Sequence, residues 1–256
     1  MSSVGDGIAV NEIKQGLNDL GYNVEVALLK AEDYGVAQER RRLFFIGNRI
    51  NADIVFPKPT HGKGLLPYVT VWDAISDLPP LKNGEGNEVM TYISPPQSDY
   101  QKSLRDGAQM AFNHFAPMLG AINIERMKHI PEGGSWRDIP QELLPAGMKR
   151  ARRSDHTKRY GRLRRDGFAS TILTNFDPHW GAFFHPTQDR AITVREAARL
   201  QCFPDRTRFE GSRVEQYKQV GNAVPILLSA AVAKVVHKAL MEHSFGAVRQ
   251  YLPQKA

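Results

Sequence analysis

The chain has 256 residues, of which 41% are hydrophobic and 24% are charged, so it carries enough apolar sequence to bury a core in one large domain or two smaller ones. A single cysteine excludes an internal disulfide and a cysteine-rich zinc site. The first residues lack the basic and apolar segments of a signal peptide, and the longest apolar run, AVPILLSAAVA, is too short to cross a bilayer. We therefore expect a cytoplasmic protein with no role at a membrane.

The N-terminal region predicts a helix followed by two strands. Val10, Ile13, Leu17 and Leu20 share one helical face, and Gly21 stands where a glycine commonly ends a helix. The string NVEVALL alternates apolar and polar residues, which is typical of a strand. RLFFIGN is a short apolar run that indicates a second, buried strand.

Residues 57–188 differ from the regions on either side. Prolines cluster in FPKPT, LPP, SPP, IPEGG, IPQ and LLP, and hydrophobic periodicity is weak apart from a short helical pattern in VTVWDAISDL. This composition predicts an irregular, loop-rich domain, the kind of structure that carries recognition surfaces.

Helical patterns return near the C-terminus. Thr193 and Glu196 have the spacing of a capping box, which predicts a helix that begins after Thr193 and ends before Pro204. Pro225 is suited to the first position of another helix. The polar residues of ILLSAAVAKVVHKALMEH fall on one stripe, so we expect most of this helix to face a core.

The positive charge of the chain is local. The segment KRARRSDHTKRYGRLRR, from Lys149 to Arg165, contains nine Lys or Arg residues and one Asp, whereas the remainder of the chain has a net charge of −1. Such a segment attracts polyanions, because each phosphate it neutralises releases counterions. The alternative is a solvated surface loop. The candidate DNA contacts in this segment are Arg152, Arg153, Arg162 and Arg164.

Three strings carry less common combinations of residues. DYGVAQERRRLFFIG places Gln38, Arg40, Arg41 and Arg42 directly before a buried strand, where guanidinium groups can hold a phosphate or a base edge. The others are HPTQDRAITVREAARLQCFPD and QYKQVGNAVP, the latter with a Gly-Asn pair that predicts a tight turn. Taken singly, each has an ordinary explanation: a surface charge cluster, a capped helix and a common turn.

In this order and spacing the three strings resemble the C-terminal conserved motifs of the bacterial DNA (cytosine-5) methyltransferases. GVAQERRRLFFIG resembles the Gln-x-Arg-x-Arg motif of that family, and RAITVREAARLQCFPD and QYKQVGNAVP resemble its last two conserved blocks. VTVWDAISDLPPL and YGRLRRDGFASTI are also similar to family sequences. The resemblance covers roughly residues 8–240.

The resemblance implies an α/β fold with two parts. One is the C-terminal part of a Rossmann-like, S-adenosylmethionine-dependent methyltransferase domain, and the other is an irregular α+β target recognition domain. It assigns residues 1–56 to the last strands and helix of the catalytic domain, 57–188 to the recognition domain, and 189–256 to the C-terminal motifs and a helix that returns to the catalytic domain.

The resemblance also implies a reaction. A cytosine of double-stranded DNA is flipped out of the helix, a cysteine thiolate attacks carbon 6, and carbon 5 receives a methyl group from S-adenosylmethionine. Arg42 maps to the arginine that lies at the flipped base and the thiolate, where a cation favours the thiolate form. Gln38 and Arg40 map to supporting positions.

Further residues follow from the same resemblance. Asn222 and Ala223 map to the turn that closes over the methyl donor. Thr171 maps to a threonine of the recognition domain that contacts the DNA backbone near the target. A bacterial or phage-encoded protein associated with the nucleoid is implied.

Several elements of the family pattern are missing from this sequence. There is no Gly-rich cofactor loop, no Pro-Cys dipeptide and no Glu-Asn-Val segment. Cys202, in LQCFP, lies at a position where the family commonly has a small residue, and we predict a buried structural thiol there rather than the nucleophile.

Three explanations remain open. The chain is one part of a split methyltransferase completed by an N-terminal half or subunit, or a truncated remnant or partial sequence, or a DNA-recognition protein without catalysis. The first two predict a large exposed apolar surface where the rest of the sheet docks. The third predicts a self-contained fold.

Overall fold

The computed structural model describes residues 7–152, 154, 158–174, 177, 181 and 183–250, with side chains described as far as residue 243. These residues form a mixed α/β fold. The helices are α1 Ile8–Asp19, α2 Val71–Ile75, α3 Asp99–Leu104, α4 Ala121–Lys128, α5 Ala146–Lys149, α6 Val194–Leu200, α7 Arg213–Asn222 and α8 Ile226–Gln250. The strands are β1 Asn23–Lys30, β2 Arg41–Asn48, β3 Gly86–Met90 and β4 Ala111–Phe115.

The N-terminal helix and strands have the predicted order. α1 ends at Asp19 with Leu20 as its C-cap, and Gly21 follows with a φ of 82° and donates its N–H to the carbonyl of Asn18 (2.8 Å). A left-handed glycine is the usual way to end a helix, because it has no Cβ to clash. β1 and β2 then pair antiparallel, with Asn23 opposite Asn48 at one end of the ladder.

The prediction that RLFFIGN is a buried strand is wrong. Every residue of β2 is half-buried or exposed. The strand pairs with β1 in a two-stranded sheet, and α1 beside it has no buried residue. One small hydrophobic cluster supports this sheet, formed by Leu29, Ala31, Tyr34, Val36, Cys202 and Leu228. The apolar side chains of β2 are therefore only partly covered by other described residues.

The region from α2 to α5 consists of short elements joined by loops, as its composition predicts. Its helices have four to eight residues. β3 and β4 pair antiparallel, with Gly86 opposite Phe115. Met127 and Trp136 of this region pack in a hydrophobic cluster with Tyr160, Phe184 and Ala191 from later in the chain.

The helix α6 is the most buried element. All seven of its residues are buried, and it packs in the largest hydrophobic cluster together with α2, α7 and β4. The predicted capping box is confirmed: the Thr193 hydroxyl accepts from the Glu196 N–H (3.1 Å), and the Glu196 carboxylate accepts from the Thr193 N–H (2.7 Å). The helix ends at Leu200, before Pro204.

The long helix α8 begins at Ile226, one residue after Pro225, which was predicted as its first residue, and it does not face a core. Leu228 and Ala239 are its only buried residues among the described side chains. The run AVPILLSAAVA alone is too short to cross a bilayer, but the stretch Arg213–His243 that contains it is long and apolar enough by length and composition alone, with a mean hydropathy of 1.6 over a window of which 17% is buried. A helix face that docks on another protein domain has the same composition.

Candidate active site

The three sequence strings meet at a buried centre formed by Gln38 and Arg40. Arg40 donates from Nη1 to the carbonyl of Ile172 (2.9 Å) and from Nη2 to the carbonyl of Gly221 (3.1 Å). Gln38 accepts the Ile172 N–H at Oε1 (3.3 Å) and donates from Nε2 to the carbonyl of Leu200 (3.4 Å). These partners lie at least 132 residues further along the chain. Two side chains of one string therefore hold the backbone of three distant segments.

The Arg40 guanidinium is a cation held in the interior by carbonyl oxygens. Burial, followed by the nearby charge of Arg42, lowers the pKa of Arg40 to about 10, so the group stays protonated at neutral pH. No carboxylate pairs with it in the described part of the chain, and its buried Nε has no hydrogen-bond partner there. A buried cation with an unused donor is unfavourable for stability alone. This is the type of arrangement found at functional sites.

Arg42 lies at the start of β2, on the opposite side of the strand from its neighbour Arg41. Successive side chains of a strand point to opposite faces, and Arg42 is half-buried whereas Arg41 is exposed. Burial lowers the pKa of Arg42. Its guanidinium makes a single hydrogen bond among the described residues, from Nη1 to the carbonyl of Arg41 (2.8 Å). The remaining donors are available to a ligand.

Thr171 is linked to the same centre through Glu39, the residue between Gln38 and Arg40. Its hydroxyl donates to the carbonyl of Glu39 (2.7 Å), and the Glu39 N–H donates to the carbonyl of Ala169 (2.9 Å). The Glu39 carboxylate points outward and pairs with Lys158 of the basic segment (3.4 Å). The string that holds the buried centre is thus linked directly to the basic segment.

The Gly-Asn pair of the third string ends a helix, so the prediction of a separate tight turn is wrong. Gly221 and Asn222 are the last residues of α7, and the C-cap Ala223 donates its N–H to the carbonyl of Val220 (3.2 Å). Asn222 is exposed and Ala223 is half-buried. A Cβ built on Gly221 would lie 2.4 Å from the carbonyl oxygen of Leu173. The close approach of two backbones explains the glycine.

Replacing Gly221 with alanine is expected to lower the free energy of unfolding by about 1–3 kcal/mol, because the added methyl group forces two backbone segments apart. Gly16 in α1 is the matched control, since a Cβ added there would have no other atom within 4 Å. Gly16→Ala should stabilise the protein by up to about 1 kcal/mol through helix propensity. Urea denaturation followed by circular dichroism measures both, and equal effects would contradict the backbone contact.

Cys202 is a structural residue in this fold. It follows α6 in the left-handed conformation, with a φ of 64°. Its N–H donates to the carbonyl of Arg199 (3.0 Å), and the Phe203 N–H donates to the carbonyl of Ala198 (3.0 Å), the pair of bonds that closes a Schellman motif. The thiol is buried beside Tyr100, and burial raises the pKa of Cys202 to about 12. A thiol that ionises so poorly is a weak nucleophile.

The arginines of the basic segment have different environments. Arg152 is exposed. Arg164 is exposed and donates from Nε and Nη2 to the carboxylate of Asp166 (3.0 and 2.9 Å). Arg153 lies outside the described residues. Arg152 and Arg164 can reach a polyanion without rearrangement of a core.

Arg162 has an internal role, in contrast to the expectation that it contacts DNA. It is 8% exposed. Its Nε donates to the carbonyl of Ile130 (2.7 Å), and its Nη2 donates to the carbonyl of Met127 (2.8 Å) and to Asp189 (2.6 Å). Nη1 donates to two further carbonyls. Because these bonds occupy every nitrogen of the guanidinium, Arg162 serves the interior of the fold.

Sequence patterns alone did not identify two residues near this centre. Glu39 lies between Gln38 and Arg40, which the sequence motif identified, and Arg137 lies in the proline-rich string IPEGGSWRDIP. The signal for Arg137 was the pair Gly133-Gly134 three residues before it, since adjacent glycines allow close approach of a backbone to a ligand. The positions of Glu39 and Arg137 in the fold depend on contacts between segments that are distant in the sequence.

Comparisons with known proteins define first the fold and then the family. The fold is similar to that of a putative DNA modification methyltransferase encoded within a prophage of E. coli, with a TM-score of 0.69 and 22% sequence identity over 93% of this chain and 67% of that chain. The sequence profile of the C-5 cytosine-specific DNA methylases matches residues 2–238. The chain belongs to this family.

Several relatives span much more sequence than this chain. The type II methyltransferase M1.HphI of Haemophilus parahaemolyticus is 36% identical over 227 residues, which is 89% of this chain and 51% of that protein. M.DdeI of Desulfomicrobium norvegicum is 33% identical over 87% of this chain and 56% of that protein. DNA (cytosine-5)-methyltransferase 1A of Oryza sativa is 35% identical over 88% of this chain and 17% of that protein. The chain therefore spans about half the length of the bacterial relatives, and less of the plant one.

Proposed function

We propose that this chain forms the C-terminal part of a DNA (cytosine-5)-methyltransferase that methylates carbon 5 of a flipped cytosine in double-stranded DNA. Residues 1–56 and 189–256 contribute to a Rossmann-like catalytic domain, and residues 57–188 form the target recognition domain. The observation that carries this proposal is the buried Arg40, which joins the segments of Ile172 and Gly221 beside Arg42.

In this proposal Arg42 acts on the reacting groups, and Gln38 and Arg40 position it. A guanidinium with unused donors favours a nearby thiolate and donates hydrogen bonds to a base. Arg40 and Gln38 hold the surrounding backbone segments, so the strand that carries Arg42 has one fixed position relative to the recognition domain. Preorganisation of this kind avoids reorganisation during the reaction.

S-adenosylmethionine, the methyl donor of the family, would meet this chain at the end of α7. Asn222 is exposed there, and its side chain has no hydrogen-bond partner among the described residues. Exposed Val224 and Leu227 follow it, at 37% and 39% exposure. An amide next to aliphatic groups fits one side of a ligand with polar and apolar parts. The Gly-rich loop needed for the other side has no counterpart in the sequence.

The nucleophile and the cofactor loop are proposed to lie on an N-terminal methyltransferase segment or subunit. Three apolar surfaces support this partner: α1 without a buried residue, β2 half-exposed along its length, and α8 with most of its described face exposed. Exposed apolar surfaces of this extent mark interaction sites. They also favour an incomplete enzyme over a self-contained DNA-recognition protein, which would cover them.

Methyl transfer to DNA tests the proposal. The purified chain is incubated with mixed-sequence duplex DNA and S-adenosylmethionine labelled on its methyl group, alone and together with the N-terminal segment that carries the Gly-rich loop and the Pro-Cys dipeptide. We expect no label on DNA from the chain alone and label from the two parts together. Incorporation by the chain alone would show that the nucleophile is internal, with Cys202→Ser as the deciding variant.

A further inference from the structure

A cavity of about 470 Å³ lies between the basic segment and the string that holds the buried centre. Its walls include Glu39 on one side, Gly133 and Gly134 on another, and the stretch from Gly161 to Ser170. Glu39 directly precedes Arg40 and pairs with Lys158 at the rim of the cavity (3.4 Å). The cavity thus lies next to the candidate active site, and Arg42 is not among the residues that line it.

Of the six charged residues that line the cavity, four are cationic. Arg137, Lys158, Arg162 and Arg164 line it, against the carboxylates of Glu39 and Asp166. The cation of Arg162 is occupied by internal bonds, and the two carboxylates pair with lysine and arginine at the exposed rim. That arrangement leaves Arg137 as the cation without a carboxylate partner in the described part of the chain.

The backbone at Arg137 is fixed, which gives its side chain a defined position. Arg137 lies in a 3-10 turn that begins after Ser135, whose N–H donates to Asp138 (2.8 Å). The preceding Trp136 is buried and donates its N–H to the carbonyl of Arg159 (3.0 Å). Arg137 Nε is itself buried and has no hydrogen-bond partner among the described residues. An unpaired buried donor of a cation favours an anionic ligand.

Gly133 has no side chain, and this lets the aliphatic part of the Arg164 side chain approach the loop closely. It has a φ of 78°, and a Cβ placed on it would lie 2.6 Å from Cγ of Arg164. The glycine therefore lets the Arg164 side chain lie flat across the loop. Arg164 and Arg137 both line the cavity, so two guanidinium groups border the same space, and Nε and Nη2 of Arg164 are already bonded to Asp166. Guanidinium groups match the geometry of phosphate oxygens.

We propose that this cavity binds a backbone phosphate of the DNA duplex, with Arg137 as its principal ligand and Lys158 at its rim. The inference rests on the proposed function and deepens it, because it names a contact that fixes the recognition region on DNA next to the strand of Arg42. Phosphate contacts set register and orientation and carry no base information. Loss of this contact weakens binding to every DNA sequence.

DNA affinity measured over a range of salt concentrations tests the cavity. Fluorescence anisotropy of a fluorescein-labelled mixed-sequence duplex is recorded with the full chain, Arg137→Gln, Lys158→Gln and the control Arg206→Gln. Arg206 is exposed, lies outside the cavity and loses the same charge. We expect Arg137→Gln to weaken binding roughly tenfold and to reduce the salt slope by about 1, as for one lost phosphate contact.

The other variants separate charge from structure. Arg137→Lys should keep the salt slope, because it keeps the charge, while its affinity falls by a smaller factor. Lys158 is exposed, so Lys158→Gln folds in any case and should also flatten the slope relative to Arg206→Gln. Circular dichroism confirms that each variant is folded. If Arg137→Gln fails this check, Lys158→Gln decides the test.

Three outcomes would overturn the inference. If Arg137→Gln and Lys158→Gln match Arg206→Gln while the unmodified chain binds DNA, the cavity is not part of the interface and the proposed function stands. If inorganic phosphate stabilises the chain through Arg137 but Arg137→Gln binds DNA normally, the ligand is a free anion. If the unmodified chain does not bind duplex DNA, the proposed DNA contact itself fails, and the cavity assignment fails with it.

Discussion

Replacing Arg42 with alanine is expected to abolish methyl transfer in the completed enzyme, with a loss of roughly 100-fold or more, the usual effect of removing a preorganised charged donor from a reacting centre. Its guanidinium is half-buried next to Arg40 and uses one nitrogen for the carbonyl of Arg41, which leaves donors for base and thiolate. Counting labelled methyl groups on DNA measures the loss.

The neighbouring Arg41→Ala is the matched control for Arg42→Ala. It removes the same charge from the same strand, but Arg41 is exposed and points to the opposite face. We expect activity within a few-fold of the unmodified enzyme for this control, and DNA affinity within a few-fold for both. Full activity of a folded Arg42→Ala enzyme would remove the role assigned to this residue.

Replacing Arg199 with alanine is expected to destabilise the chain by about 3–5 kcal/mol, the effect of breaking a buried ion pair by removing one partner. Arg199 donates from Nε and Nη2 to the carboxylate of Asp205 (3.0 and 2.6 Å) and from Nη1 to Asp77. All three side chains are fully buried. Burial lowers the pKa of Arg199, but the two carboxylates raise it by more.

Urea or thermal unfolding of the Arg199→Ala chain measures this effect, with Arg206→Ala as the exposed control. Arg206 makes one hydrogen bond on the surface, to the carbonyl of Asp106 (3.3 Å), so its loss should change stability by no more than about 0.5 kcal/mol. A loss of less than about 1 kcal/mol for Arg199→Ala would mean that solvent or other side chains compensate the two aspartates. The buried charges of Asp77 and Asp205 would then not need Arg199 as their counter-charge.

Local signals in the sequence predicted elements that depend on nearby residues. The capping box of Thr193 and Glu196 is confirmed, as is the glycine after α1, and the helix predicted to start at Pro225 starts one residue later, at Ile226. In each case the interacting groups are within a few positions of one another, so the chain conformation around them follows from the residues themselves. The tertiary structure adds a second partner to Glu196, the buried Arg190 (2.7 and 2.8 Å).

Burial was predicted poorly where apolar residues had no partner within the described chain. Both RLFFIGN and ILLSAAVAKVVHKALMEH have core-like composition, yet β2 is only half-buried along most of its length and α8 is largely exposed. Hydrophobicity indicates that a surface needs a cover and does not identify which segment supplies it. In the proposed function the cover is the N-terminal part of the enzyme.

The amino-acid sequence by itself determined the family motifs, the order of α1, β1 and β2, and the position of the basic segment. Only the tertiary structure decided that Arg40 holds the segments of Ile172 and Gly221, and that Arg162 is internal while Arg137 faces a cavity. The physical reason is the range of the interactions: caps and strand periodicity act between near neighbours, whereas the partners of a buried guanidinium come from wherever the folded chain brings carbonyl and carboxylate oxygens together.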